Sequence, residues 1–286
     1  MSEPRLQSRS AYLARLGFDT PPAATLETLQ ALQLRHTSSF TFETISTLLH
    51  LPVPIDLPSL ERKVLLDGRG GYCYELNLLF LALLLELGFE ARGVTGRVVM
   101  GGPENAWTPR THLLILVLID GMRYITDVGF GRLVPTAPLH LDDEEPQTTP
   151  HELFRVTRQA EQYTLRAQIN GVWRALYHFD LQAQQTIDFE MGNWYVSTHA
   201  NSPLLSQLMV ARAEPGLRRT LNNGSYGVHP VGGISERRQI SDADEMIVLL
   251  QNAFGIRLPQ DVDRLHSALA QLIRTGSPNG NAVKVK

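Results

Sequence analysis

The hydrophobic rhythm of this chain changes once, near Gly88, and that change confines the folds open to it. Before it, apolar residues recur at helical spacing. Leu6, Leu13 and Leu16 mark a first helix, and Thr25 can cap a second that carries Leu26, Leu29, Leu32 and Leu34. A third run covers about Pro58 to Leu66; Leu76, Leu79, Phe80, Leu83, Leu84 and Leu87 form a fourth, which Gly88 can end. From Arg92 the segments RGVTGRVVM, HLLILVLI, MRYITDVGF, LFRVTR, YTLRAQI and VWRALYHF are short and rich in β-branched or aromatic residues. Asp120-Gly121 and Asn170-Gly171 are their clearest hairpin turns, because a type I′ turn needs positive φ at both central positions. A helical bundle followed by an antiparallel sheet or barrel is what these patterns dictate. After Asn193 the signal weakens. Ser241 with Asp244 then resembles an acidic capping box opening a helix through Met246, Leu249, Leu250 and Phe254. A last helix covers about Pro259 to Ile273, and the tail TGSPNGNAVKVK reads as loosely held.

The chain has 286 residues, 43% of them hydrophobic and 19% charged, enough for a sizeable core in one large domain or two to three units. A formal charge of -3 gives no chain-wide attraction to nucleic acid or anionic lipid. The N-terminal MSEPRLQSRSAYLARLGF lacks the continuous apolar core of a signal peptide, and Leu76 to Leu87 is too short for a membrane span and contains Asn77 and Glu86. These features predict a cytoplasmic protein with no membrane partner. A lone cysteine permits neither an internal disulfide nor a four-cysteine metal site. His178, His199, His229 and His266 show no metal-ligand spacing, and the acidic run Asp142 to Glu145 reads as a solvated loop.

The lone cysteine sits in Arg69-Gly-Gly-Tyr-Cys-Tyr-Glu-Leu-Asn77, directly ahead of the fourth helix. Two readings fit it. Cysteine is often a small buried hydrophobe. At the mouth of a helix, however, unpaired N–H groups and the positive end of the dipole favour a thiolate, and the amide of Tyr74 could receive an oxyanion. A cysteine nucleophile needs a base, and the base an orienting partner. The Asp120-Gly121 hairpin filters the nine histidines: a two-residue loop pairs Ile119 with Met122, which carries back to Leu114 opposite Asp127 and His112 opposite Gly129. Asp127 is then the diagonal, same-face neighbour of His112, about 7 to 8 Å away between Cβ atoms and within reach of a hydrogen bond. A slip of one residue would send the two side chains to opposite faces. Singly, His112 reads as a satisfied strand histidine and Asp127 as a turn carboxylate; together with Cys73 they read as a catalytic triad.

These same residues carry a resemblance to the arylamine N-acetyltransferases. RGGYCYELN resembles that family's R-G-G-x-C-x-E-[LH]-N motif, RTHLLILV its R-[ST]-H-x-L-L segment and YITDVGFG its D-V-G-F-G segment, in matching order and spacing. Weaker likeness runs through YHFD at 177–180 and NWYVSTH at 193–199. The resemblance implies an α+β fold: an N-terminal helical bundle at 1–90, a central antiparallel β-barrel at 91–190, an interdomain segment at 191–215 and a C-terminal α/β lid at 216–286, with a papain-like cysteine triad. It implies ping-pong acetyl transfer from acetyl-CoA through Cys73, with His112 as base and Asp127 as orienter, to an aromatic amine, hydrazine or N-hydroxyarylamine. No metal and no permanently bound cofactor are implied, and a homodimer is left open. Phe42, Phe130 and Tyr74 align near the acceptor cleft, although Phe42 and Phe130 also read as core aromatics. Thr108, Gly131 and Arg132 align near the phosphate arm of the CoA donor. Arg69 and Glu43 match an ion pair that braces the nucleophile loop. The chain departs from the family's I-P-F-E-N-[LI]-[DN] at Phe40-Thr-Phe-Glu-Thr-Ile-Ser46, where Thr44 and Ser46 offer fewer hydrogen-bonding groups than asparagine.

Taken without the resemblance, the same three residues fit a papain-like or transglutaminase-like enzyme, which would ignore CoA. A non-catalytic small-molecule binder is the alternative from another class; its buried thiol would label with iodoacetamide no faster than free cysteine. Trp107 reads as a cover over the barrel or a wall of the cleft.

Overall fold

The computed structural model describes residues 5–275. The leucine-rich segment is helix α5 in a series that begins with α1 (Arg9–Arg15), α2 (Leu26–Ser39), α3 (Ile45–Leu48) and α4 (Leu57–Leu60), the last running into a π-turn over Glu61–Leu66. Helix α5 (Cys73–Glu86) is apolar on nearly every face, so it can only lie inside. Leu76, Leu79, Phe80, Leu83 and Leu84 are fully buried between Leu29 and Leu32 of α2 on one side and Ile115 and Val117 of the sheet on the other. Thr25 caps α2, accepting from the amide of Thr28.

The sheet behind α5 has eight antiparallel strands: β2 (Glu90–Val98), β3 (Arg110–Ile119), β4 (Met122–Thr126), β5 (Leu139–His140), β6 (Gln147–Thr148), β7 (Leu153–Gln159), β8 (Gln162–Ile169) and β9 (Val172–Phe179). Their order is β5-β4-β3-β2-β9-β8-β7-β6, which rolls the sheet into a nearly closed barrel around Val94, Leu114, Phe154, Val156, Leu165 and Leu176. At the seam the Gln147 side chain stands in for a strand, accepting from the His140 amide at 2.7 Å and donating to the His140 carbonyl at 2.9 Å. Asp120 and Gly121, and Asn170 and Gly171, all take positive φ, as type I′ turns require.

The β3–β4 register follows the expected pairing from Ile119↔Met122 to Ile115↔Thr126, and there it stops. His112 therefore pairs not with Gly129 but with Gly96 on β2. The expectation of a glycine facing the imidazole across the hairpin is corrected accordingly. Gly129 instead lies against the start of α5, where a Cβ would stand 2.7 Å from Cys73 Cα and 2.8 Å from Asn77 Nδ2.

A five-stranded sheet completes the fold. It comprises β10 (Met209–Glu214), β11 (Leu217–Asn222), β12 (Ser225–Pro230) and β13 (Glu236–Gln239), with β1 (Phe42–Glu43) added at the β10 edge. Phe42 pairs with Ala211 on that edge and bridges to Gly71 on its other side, so the loop before Cys73 is stitched to the C-terminal sheet. Ile45, Leu48 and Leu49 likewise pack with Val210, Leu221, Met246, Leu250 and Leu265. Residues 42–49 thus belong structurally with the C-terminal part, not with the bundle their position suggests. The break expected at 190/191 falls inside α6 (Thr186–Thr198), and β10 joins the sheet that was expected to begin after it. Helix α7 (Ala243–Asn252) is capped by Asp242, which accepts from the Asp244 amide, rather than by Ser241. Helix α8 (Val262–Thr275) starts three residues later than expected, and the expected loose tail from 276 on lies outside the described residues. No helix among the described residues is long and apolar enough to cross a membrane.

Candidate active site

Cys73 is the first residue of α5, 8% exposed, with its Sγ 3.6 Å from the carbonyl of Thr111. The two glycines before it are dictated by crowding rather than by positive φ. A Cβ on Gly70 would sit 1.9 Å from the Thr41 carbonyl oxygen, and one on Gly71 2.7 Å from Glu75 Cβ. Two buried carboxylates brace this approach. Glu43 accepts from Arg69 Nη2 at 2.7 Å and from the Ile45 amide at 2.5 Å, while Glu75 accepts from Lys63 Nζ at 2.6 Å and from the Tyr72 amide at 3.1 Å. Burial alone would raise the Glu43 carboxyl, but Arg69 and Lys63 hold it below the usual range. The expected Arg69–Glu43 pair is in place. Thr44 is drawn elsewhere: its Oγ1 donates to the Gln207 carbonyl and accepts from the Met209 amide, both at 2.9 Å, pinning β10.

His112 reaches the same spot from the start of β3. Its Nε2 lies 2.7 Å from Asp127 Oδ2, and both residues are buried. An ionised carboxylate only accepts, so Nε2 carries hydrogen and Nδ1 remains for a second partner. Burial opposes charge on the ring, yet the carboxylate of Asp127 and then the adjoining Cys73 sulfur push His112 up to about 10. Asp127, which burial would raise, is held low by the His112 contact first and then by Asn77 and the Gly129 amide.

Four donors fix the carboxylate. Oδ1 accepts from Asn77 Nδ2 at 3.0 Å and the Gly129 amide at 2.9 Å; Oδ2 accepts from His112 and from Tyr177 OH at 3.0 Å. Asn77 also donates to the Leu113 carbonyl at 2.7 Å and accepts from the Val128 amide at 2.9 Å, tying α5, β3 and the segment after β4 together. Gln33 of α2 braces that segment from outside, accepting from Thr126 Oγ1 at 2.6 Å and donating to the Pro135 carbonyl at 2.8 Å. Asn77 stands one helical turn beyond Cys73 and so on its face, a spacing that was legible in the motif. Tyr177 and Gln33 carry no local signal of this role.

The remaining expected residues divide. Phe130 is buried with its ring 5.1 Å from that of His112, edge to face. Phe42 is half-buried and lies over Gly131, where φ is +85° and a Cβ would stand 3.2 Å from Phe42 Cδ1. Tyr74 is fully buried, its hydroxyl 3.5 Å from the Arg110 carbonyl and crowded against Gly192 of α6, so it has no surface to offer a substrate. Thr108 accepts at its carbonyl from Arg97, whereas the exposed Arg132 has its pKa lowered by the partial burial of its side chain and then by the like charge of Arg237 of β13. No contact among the described residues joins these two places. Trp107 is 90% exposed, its ring 5.5 Å from the Arg97 guanidinium, so it does not serve as the expected cover over the barrel. Among the described residues no three His, Cys, Asp or Glu side chains are grouped to hold a metal ion.

Comparison with known proteins accords with this geometry. A family model described as N-acetyltransferase matches residues 25–262. The arylamine N-acetyltransferase of Mycolicibacterium smegmatis is 39% identical over 251 residues, covering 86% of this chain and 91% of that protein. The arylamine N-acetyltransferase / N-hydroxyarylamine O-acetyltransferase of Salmonella typhimurium is 36% identical over 247 residues, covering 86% and 88%. Among solved structures, Mycobacterium marinum arylamine N-acetyltransferase in complex with CoA superposes with a TM-score of 0.88 at 33% identity, over 92% of this chain and 98% of that one. With the match running through bundle, barrel and C-terminal sheet alike, the chain is an acetyltransferase and belongs to the arylamine N-acetyltransferase family.

Proposed function

We propose that this protein moves an acetyl group from acetyl-CoA to an aromatic amine, arylhydrazine or N-hydroxyarylamine by way of an acetyl-Cys73 intermediate. The observation that carries the reading is the placement of one imidazole between a buried carboxylate at 2.7 Å and the sulfur at the helix mouth. A ring that keeps its proton to about 10 presents the sulfur with an imidazolium across neutral pH, the counter-charge a thiolate needs. The thiolate attacks the thioester carbonyl, and the oxyanion faces the amides of the first turn of α5, which have no acceptor within their own helix. Collapse expels the CoA sulfur, which takes the proton from His112 Nδ1. The acceptor nitrogen then attacks the acetyl thioester and gives its proton to Nδ1, and Cys73 leaves as thiolate. Asp127, held by four donors, keeps the ring in the orientation both halves need.

Phe130 and Phe42 supply the aromatic wall for the acceptor in this reading, supported by the edge of Phe130 on His112. Gly131 and Arg132 serve the phosphate arm of the donor, supported by the like charge of Arg237 acting on Arg132 with no carboxylate in an ion pair to either among the described residues. Thr108 stands apart from them, its carbonyl bound by Arg97. The three-unit division belongs to the same proposal, with residues 42–49 assigned to the lid. So does a cytoplasmic setting, where a lone thiol stays reduced.

The test is a mass measurement after mixing with acetyl-CoA alone. One added acetyl group mapping to Cys73, absent in Cys73→Ala and discharged by an arylamine, is the expected result. No adduct while the thioester persists would end the proposal.

A further inference from the structure

Phe130, the proposed wall for the acceptor, stands in a segment held by α5, α2 and β11 together. Its near end is fixed beside the triad, where Asn77 accepts from the Val128 amide and Asp127 from the Gly129 amide, both at 2.9 Å. Past Phe130 the chain turns through 131–134, closed by the Val134 amide on the Gly131 carbonyl at 3.1 Å. Two successive carbonyls then tie down the far end. Gln33 of α2 donates to that of Pro135 at 2.8 Å, and Arg218 of β11 donates from Nη2 to that of Val134 at 2.7 Å.

Arg218 reaches this segment from the C-terminal sheet and is only 3% exposed. Its charge is met by Glu152, which accepts from Nε at 2.7 Å and from Nη2 at 2.5 Å. Glu152 lies just ahead of β7, and beside it His151 donates from Nε2 to the Glu214 and Leu217 carbonyls at 2.9 and 3.2 Å. The turn between β10 and β11 is thus fastened to the barrel twice. A buried ion pair adds little stability over apolar side chains of the same volume. What the guanidinium does that an apolar side chain cannot is hold the Val134 carbonyl while a carboxylate fixes its fork.

We infer that Arg218 is a positioning residue: anchored by Glu152, it sets Phe130 against His112 as the wall for an aromatic acceptor. The inference rests on the acetyl transfer proposed above and separates its two halves. Asp127 has four donors of its own, so attack of Cys73 on acetyl-CoA does not call on Arg218. Discharge by an acceptor that carries a ring does.

The test compares wild type with Arg218→Met/Glu152→Met, an exchange that leaves no charge stranded in the interior. Acetyl-Cys73 is formed with saturating acetyl-CoA, followed by mass, and discharged by phenylhydrazine or by hydrazine, which has no ring. In the double variant acetyl-Cys73 should form at the wild-type rate. The KM for phenylhydrazine should rise about tenfold with kcat within about twofold of wild type, the signature of lost binding without lost chemistry, while hydrazine discharges the acetyl-enzyme as fast as before. Arg218→Lys keeps a charge for Glu152 but lacks the fork that also reaches Val134, so it should show the same rise, and it decides the matter if the double variant does not fold. An unchanged KM for phenylhydrazine, an equal loss with both acceptors, or slowed formation of acetyl-Cys73 overturns the inference. Wild type that forms no acetyl-Cys73 ends the proposed function first, and this inference with it.

Discussion

Two buried histidines in this protein have opposite fates. His36, on α2 in the helical core, and His112, on β3 at the site, are both almost free of solvent. His36 is packed among Tyr12, Phe40 and Phe80, and neither of its ring nitrogens has a hydrogen-bond partner. Burial, with Arg15 adding a like charge nearby, drives it down to about 3. His112 is buried as deeply, but a carboxylate and a sulfur outweigh the desolvation and carry it up to about 10. Burial alone does not decide the charge of an imidazole; its partner does. The comparison also separates stability from chemistry, since the bundle tolerates an idle ring while the barrel and α5 devote Asn77, Tyr177 and the Gly129 amide to holding one carboxylate.

Asp127→Asn should break the comparison most severely. An amide that donates to Nε2 moves the ring proton to the sulfur side, and acetyl transfer should fall by about three to four orders of magnitude, as when the acid of a serine protease triad is made an amide. Steady-state CoA release with an arylamine reads this, with a thermal melt showing the fold retained. A loss under tenfold would mean the carboxylate is not what sets the ring.

The two rings also predict opposite pH slopes of stability. His36 is neutral when folded and has an ordinary value when unfolded, so the unfolded chain takes up a proton below about 6.5 and stability declines from there toward 3. His112 holds its proton when folded, so its contribution is complete below about 6.5 and is lost as pH rises toward 10. His36→Leu should therefore stabilise the protein by about 1 to 3 kcal/mol at pH 5, more than at pH 8, by removing an unsatisfied buried polar ring. Urea midpoints at the two pH values measure it, and turnover should not change.

The smallest effect belongs to Tyr177→Phe, which deletes one of the four bonds to Asp127 and leaves the ring packing with His112 in place. A decrease of about tenfold or less, in kcat rather than KM, is expected from one hydrogen bond to a charged group. A loss as large as that of Asp127→Asn would move Tyr177 from support to chemistry.

What the sequence disclosed follows from the range of the interactions. Cys73 was legible because the glycine pair, the cysteine and the helix start are contiguous. Asp127 was legible because a two-residue turn fixes the register of its own hairpin, even though the ladder ends at Thr126 and the carboxylate reaches His112 from just beyond it. Tyr177 and Gln33 come from elements 50 and 94 residues away from Asp127, with no periodicity to announce them. The same limit hid β1: two residues carry no strand pattern, and their partner β10 lies far along the chain, so residues 42–49 looked like part of the bundle. Ser241 and Asp242 are adjacent polar residues that cap equally well on paper, and only the backbone path selects the second.

The most direct measurement is the ionisation of the two imidazoles by NMR on protein with isotopically labelled histidine, with His36→Leu and Asp127→Asn assigning the signals. One ring should stay protonated through pH 8 and lose that behaviour in Asp127→Asn, while the other stays neutral down to pH 5. Both rings titrating near the value of free histidine would contradict the pairing of His112 with Asp127 and Cys73 on which the proposed acetyl transfer depends.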